Sequence, residues 1–134
     1  APHNCNKNSV AYNGTHDNEV VNGWYDNLTD EQKAFVNAYT HRSEDEPITE
    51  AMLRTLFATV SDVAIATMQD LLDKPADSRM NIPNTVGGNW QWRMLKEDLT
   101  DERKVFLKDI TALYCRKNTF KTTIKEEKET KNDN

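Results

Sequence analysis

The chain has little of what usually equips a small protein for chemistry or for standing alone. Its two cysteines, Cys5 and Cys115, are far apart and form no metal-ligand spacing; two free thiols in a reducing, cytoplasmic setting fit them better than a disulfide. Apolar residues are scarce: they make up 37% of the 134 residues, against about 45–50% for ordinary soluble domains. Leu, Ile, Val and Phe together number 26, just under the roughly one-fifth at which independent folding becomes doubtful. No apolar run approaches the length of a membrane span, and no basic-then-apolar leader is present. There is no HExxH, no phosphate-cradling glycine loop, and no Ser or Cys beside a His base. A net charge of −5 is too modest for wholesale disorder and argues against nucleic acid as a partner. A piece of a larger core has this composition.

What is present is a series of helix and strand signals. Residues 1–9 are polar and read as loop. Val10-Ala11-Tyr12 is a β-prone run broken by Asn13-Gly14, hence a strand ending in a turn. Asn13 and Asn27 each open a glycosylation sequon, a match short enough to arise by chance. Thr29 with Gln32 three residues on forms a capping-box signature, starting a helix that ends near Tyr39 before a charged loop at 40–46. Pro47 suits a first helical turn, and Ile48, Met52, Leu53, Leu56, Phe57 and Val60 make an amphipathic stripe. The run Val63–Met68 fits a buried parallel strand, so helix and strand together form one step of an α/β fold. Residues 73–98 read as a long ordered loop with Trp90 and Trp92 as anchors. A last helix follows Thr100, with Phe106, Leu107, Ile110, Leu113 and Tyr114 on one stripe, and residues 119–134 read as a disordered, charged tail. Leu28-Thr29-Asp30-Glu31 and Leu99-Thr100-Asp101-Glu102 share six of nine positions with their continuations, which is a common way of starting a helix rather than a repeat.

Three clusters can carry chemistry. Gly14-Thr15-His16-Asp17-Asn18 follows the first strand, where α/β barrels hold their active sites. It is either a hydrogen-bonding surface for a polar substrate or simply a capped turn. Gln69-Asp70 follows the second strand and can hold sugar hydroxyls or satisfy loop backbone, the second being the commoner role. Arg79-Met80-Asn81-Ile82-Pro83, with Asn89-Trp90-Gln91-Trp92-Arg93, offers amides and aromatic faces that suit carbohydrate, although the two Trp read more naturally as pins for the loop.

These motifs, in order, resemble the 4-α-glucanotransferases of the amylomaltase type (glycoside hydrolase family 77). Pro2-His3-Asn4 with Val10–Asn18 resembles the family's PHN…VxYTGTHDN, and Met68–Leu72 its PMQDLL. Arg79-Met80-Asn81 with Pro83, Thr85 and Asn89–Arg93 resembles RMNxPGT…NWxWR, and Leu113–Arg116 resembles LYGR. The sequence departs at Asn13 for Thr, Asn84 for Gly, Cys115 for Gly, and Lys74-Pro75 for Leu-Gly.

The resemblance implies the last two βα steps of a (β/α)8 barrel, helix-rich and spanning residues 1–118. It also implies cofactor-free transfer of α-1,4-glucan segments between malto-oligosaccharides by a retaining mechanism. In that mechanism a nucleophile and an acid/base stand about 5–5.5 Å apart. Both would lie upstream of Ala1, in a missing N-terminal part of the same barrel. Asp17 falls at the family's third carboxylate, His16 beside it, and Asn81 at a sugar-contacting Asn; Asn18, Gln69 and Asp70 join them as substrate contacts. The alternative from another class is a non-catalytic carbohydrate- or partner-binding protein derived from that barrel.

Overall fold

The computed structural model describes residues 1–117; the tail expected at 119–134 lies outside them. Seven elements follow in order: β1 (Val10–Tyr12), α1 (Val21–Asp26), α2 (Asp30–Thr40), α3 (Ile48–Phe57), β2 (Val63–Ile65), α4 (Met68–Leu71) and α5 (Asp101–Leu113). Short 3-10 turns occupy Pro2–Asn4, Ala76–Ser78 and Lys96–Asp98. The two strands are parallel neighbours, with Val10 opposite Val63, Ala11 opposite Ala64 and Tyr12 opposite Ile65.

Local chemistry explains most of the helix ends. Thr29 Oγ1 accepts the Gln32 N–H at 3.3 Å, and Gln32 Oε1 accepts the Thr29 N–H at 2.9 Å, so the capping box closes α2 on both sides. At the other end His41 takes a left-handed φ of 51°, and the Arg42 N–H reaches the Asn37 carbonyl at 3.0 Å. Thr100 caps α5 by accepting the Arg103 N–H at 3.3 Å. Helix α3 ends at Phe57, one turn before the Val60 of the expected stripe, which is 62% exposed. Arg116 holds that end: its guanidinium donates to the carbonyls of Phe57 (2.7 Å), Thr59 (2.6 Å) and Ser61 (3.0 Å). A cation on the last carbonyls of a helix is favourable for charge and geometry together.

Helix α1 has no counterpart in the sequence reading. It is six residues long, carries Gly23 in its middle, and starts after Val20, which cannot cap. The cap comes from Asp70, whose Oδ1 accepts the Val21 N–H at 2.8 Å from 49 positions away. Gly23 is required by close approach, because a Cβ there would meet the Ala76 Cβ at 2.8 Å.

The core is small and sits on one face of the sheet. Leu53, Leu56 and Phe57 of α3 pack with Leu71 and Ile110, and Ala11, Ala64, Ala66, Phe106, Leu107 and Tyr114 lean against them. The stripe expected on α5 therefore holds except at Leu113, which is 67% exposed while Tyr114 covers the core instead. The strand expected at 63–68 shortens to three residues, with Met68 opening α4. Nor is it buried. With period-two alternation, the small Ala11 and Ala64 face the helices, while Val10, Tyr12, Val63 and Ile65 are 47–56% exposed on the other face.

Three β-branched residues and one aromatic left open beside unpaired strand edges favour self-association. The isolated 134-residue chain should bind a hydrophobic dye and sediment as a mixture of oligomers. A monomer with a sharp cooperative melt and no dye binding would contradict this.

Candidate active site

The turn after β1 is closed by its own side chains. Asn18 Oδ1 accepts from the Thr15 N–H (2.8 Å) and Thr15 Oγ1 (2.9 Å), and the Asn18 N–H returns to the Thr15 carbonyl at 3.1 Å. The capped-turn reading of this segment therefore holds, and the turn is what lifts His16 and Asp17 outward. Their side chains remain 55% and 50% exposed, with His16 Nε2 3.3 Å from Asp17 Oδ1. Asn18 itself has its acceptor occupied by the turn.

A second loop meets this one from more than sixty residues away. Asn81 Nδ2 donates to Asp17 Oδ1 at 2.7 Å, and the Asn81 N–H donates to the His16 carbonyl at 3.1 Å. Arg79 stitches the two loops together: Nη2 donates to the Asp17 carbonyl (2.7 Å), Nε to the Asn81 carbonyl (2.9 Å), and Nη1 to Glu19 Oε2 (3.1 Å). The structure thus brings His16, Asp17 and Asn81 into one cluster and fixes the carboxylate through an amide on Oδ1. From sequence Arg79 enters only as the first residue of the Arg79-Met80-Asn81 motif, with no role of its own.

Gln69 and Asp70 lie behind this rim rather than on it, 8% and 2% exposed. Asp70 Oδ2 accepts from Asn13 Nδ2 and Thr67 Oγ1, both at 2.7 Å, while Oδ1 caps α1. Gln69 Nε2 donates to the Ser78 carbonyl at 3.2 Å. Both Asp70 oxygens accept from protein donors, which is the loop-satisfying role favoured on sequence. Gln69, Asp70 and Asn18 all line a groove of about 410 Å³, together with His16, Trp92 and Arg93.

The long loop is ordered by its own polar groups. Asn89 Oδ1 accepts the Ile82 N–H (2.9 Å) and its amide donates to Thr85 Oγ1 (3.0 Å), while Lys74 Nζ joins Asp98 Oδ1 at 2.5 Å across the loop's base. That ammonium, with the Leu95 N–H, holds the Asp98 carboxyl below its usual range. Asn84 and Cys115, both standing where the resembled family has Gly, have left-handed φ values of 62° and 54°. Of the two expected anchors only Trp92 is half-buried. Trp90 is 52% exposed, and it rests on His16 with ring centroids 5.0 Å apart and planes tilted by 40°. Its backbone is left-handed (φ 64°), and its ring lies against the first loop rather than in the core.

Among the described residues no three His, Cys, Asp or Glu side chains gather as a metal would require. Nor is any described helix long and apolar enough to cross a membrane. An exposed carboxylate, an imidazole, an amide and an aromatic ring thus gather beside the carboxyl ends of two parallel strands.

Comparison with known proteins makes this specific. The sequence profile of the 4-alpha-glucanotransferases matches residues 1–100, and the chain belongs to that family. It is 50% identical over 119 residues to the 4-alpha-glucanotransferase of Streptococcus pneumoniae, covering 88% of this chain and 24% of that enzyme. The chloroplastic/amyloplastic 4-alpha-glucanotransferase of Solanum tuberosum is 42% identical over 118 residues, 86% of this chain and 20% of its own length. Among solved structures, amylomaltase from Streptococcus agalactiae in complex with acarbose superposes with a TM-score of 0.85 at 68% identity, over 87% of this chain and 24% of that one. The chain therefore spans about a quarter of the length of the bacterial relatives it matches.

The two aspartates should behave oppositely in a chimera in which residues 1–117 replace the matching segment of the Streptococcus agalactiae enzyme. Asp70→Asn removes a buried charge and turns a donor toward donors, at a cost of about 2–4 kcal/mol. Asp17→Asn, on the exposed rim, should stay within about 0.5 kcal/mol. Equal urea midpoints for the two variants would overturn the assignment of Asp70 as the internal tie.

Proposed function

We propose that residues 1–118 form the last two βα steps of a (β/α)8 barrel and supply the substrate-gripping rim of a 4-α-glucanotransferase. The observation that carries this reading is the convergence of Asp17, His16 and Asn81 at the carboxyl ends of two parallel neighbouring strands, where such barrels keep their active sites. The exposed apolar face of the sheet supports it too, since a barrel would cover that face from inside.

The reaction is transfer of α-1,4-glucan segments between malto-oligosaccharides, in the cytoplasm and without a cofactor. In a retaining double displacement, one carboxylate attacks the anomeric carbon while a second group protonates the leaving oxygen, and an acceptor hydroxyl later reverses both steps. These two groups come from the remainder of the barrel, which is the segment's partner. Asp17 acts beside them. With Oδ1 held by Asn81, its other oxygen is presented to the hydroxyls of the sugar at the cleavage point. Those hydrogen bonds strengthen as the ring flattens and acquires oxocarbenium charge, so the contact favours the transition state over the ground state. His16 donates to the same sugar from its exposed edge, and Asn81 both aims Asp17 and offers its own amide to the substrate. Gln69 contributes from the groove wall.

In the chimera, Asp17→Asn should lower the turnover of maltotriose disproportionation by about 10²–10³-fold, the scale for losing one preorganised transition-state contact. Near-normal turnover in that variant would refute the role.

A further inference from the structure

We propose that Trp90 is an aromatic platform for a glucosyl ring, placed next to the sugar that Asp17 and His16 hold. The inference rests on the functional reading above and extends it to a residue whose sequence context favoured a loop anchor over a sugar contact.

Three features of the chain point the same way. Trp90 is 52% exposed, although burying an indole is among the most favourable packing events available to a chain so short of apolar residues. Its backbone is left-handed, a conformation that L side chains rarely take and that bulky ones take at a cost. The Met80 carbonyl accepts its N–H at 2.7 Å and Arg93 Nη1 donates to its carbonyl at 2.9 Å, so the strained residue is held from both sides. A residue whose backbone is held in that way, with its ring resting on His16 yet half open, is preorganised for a ligand rather than for the core.

The surroundings define the ligand. One side of the indole meets His16, and through it Asp17 and Asn81. A molecule lying on the open part of the ring would offer apolar C–H groups to the indole and hydroxyls to the imidazole beside it and to the carboxylate and amide that follow. A pyranose has that division between face and rim. A purely apolar ligand would leave the polar cluster unpaired, and a simple ion would make no use of the ring.

The competing role is a brace that only orients His16. Steady-state kinetics of the chimera on maltotriose separate the two. A platform predicts that Trp90→Ala raises KM about tenfold, with an unchanged pH profile and unchanged melting temperature, and that Trp90→Phe recovers most of the loss because a flat apolar face remains. Maltoheptaose should also change the tryptophan fluorescence of the parent saturably, and this change should shrink in Trp90→Phe. A KM within twofold of the parent in Trp90→Ala overturns the proposal, as does a fall in kcat alone with a displaced pH profile, which is the signature of the brace. Asp17→Asn measured in parallel keeps the two readings apart. If it abolishes transfer while Trp90→Ala does nothing, only the platform fails; if it is silent, the functional reading itself fails.

Discussion

Asp70 ties together three segments that the chain brings from far apart. Its buried carboxylate accepts from Asn13 at the end of β1, from Thr67 just after β2, and from the first N–H of α1. The two strands are only three residues long and share few backbone hydrogen bonds, so the ladder alone cannot fix where their ends point. A charged acceptor with three short, convergent donors can, because in a desolvated setting each bond is strong and each missing one is expensive. The position of the Thr15–Asn18 turn follows from it, as does the start of α1, and with them the exposure of His16 and Asp17.

The second loop is built on that base. Arg79 donates to the backbone of both loops and to Glu19, so the planar guanidinium sets their spacing in a way a lysine could not. With the spacing set, the Asn81 amide reaches Asp17 Oδ1 and leaves the rest of the carboxylate open on the exposed rim. The chain thus separates its carboxylates by environment. Asp70 is enclosed and fully engaged by the protein, whereas Asp17 is open and only partly engaged, which is what a ligand-binding group must be.

Much of this was legible in the sequence, but only where the determinants are local. The capping box at Thr29 and Gln32, the cap at Thr100, the α3 stripe and the Val10–Tyr12 strand all depend on residues within a turn or two, and all appear. Helix α1 stayed hidden because its cap is a side chain 49 positions on, and its own residues include a glycine. The rim residues were found through motif resemblance, while the contact between Asp17 and Asn81, 64 positions apart, needed coordinates. For Trp90 the sequence left a sugar face and a loop pin both open, and its exposure and its contact with His16 needed coordinates. Asn84 and Cys115 show the reverse case: where the resembled family has Gly, the left-handed geometry persists with side chains that tolerate it less well.

The central claim is that this segment grips the sugar at the cleavage point through Asp17. The most direct measurement is a crystal structure of the chimera bound to acarbose, the ligand present in the Streptococcus agalactiae structure. The account predicts a free carboxylate oxygen of Asp17 and a ring nitrogen of His16 within hydrogen-bonding distance of hydroxyls on one sugar residue, with Asn81 still on Asp17 Oδ1. A complex in which acarbose fills the active site while Asp17 touches only water and protein would contradict it.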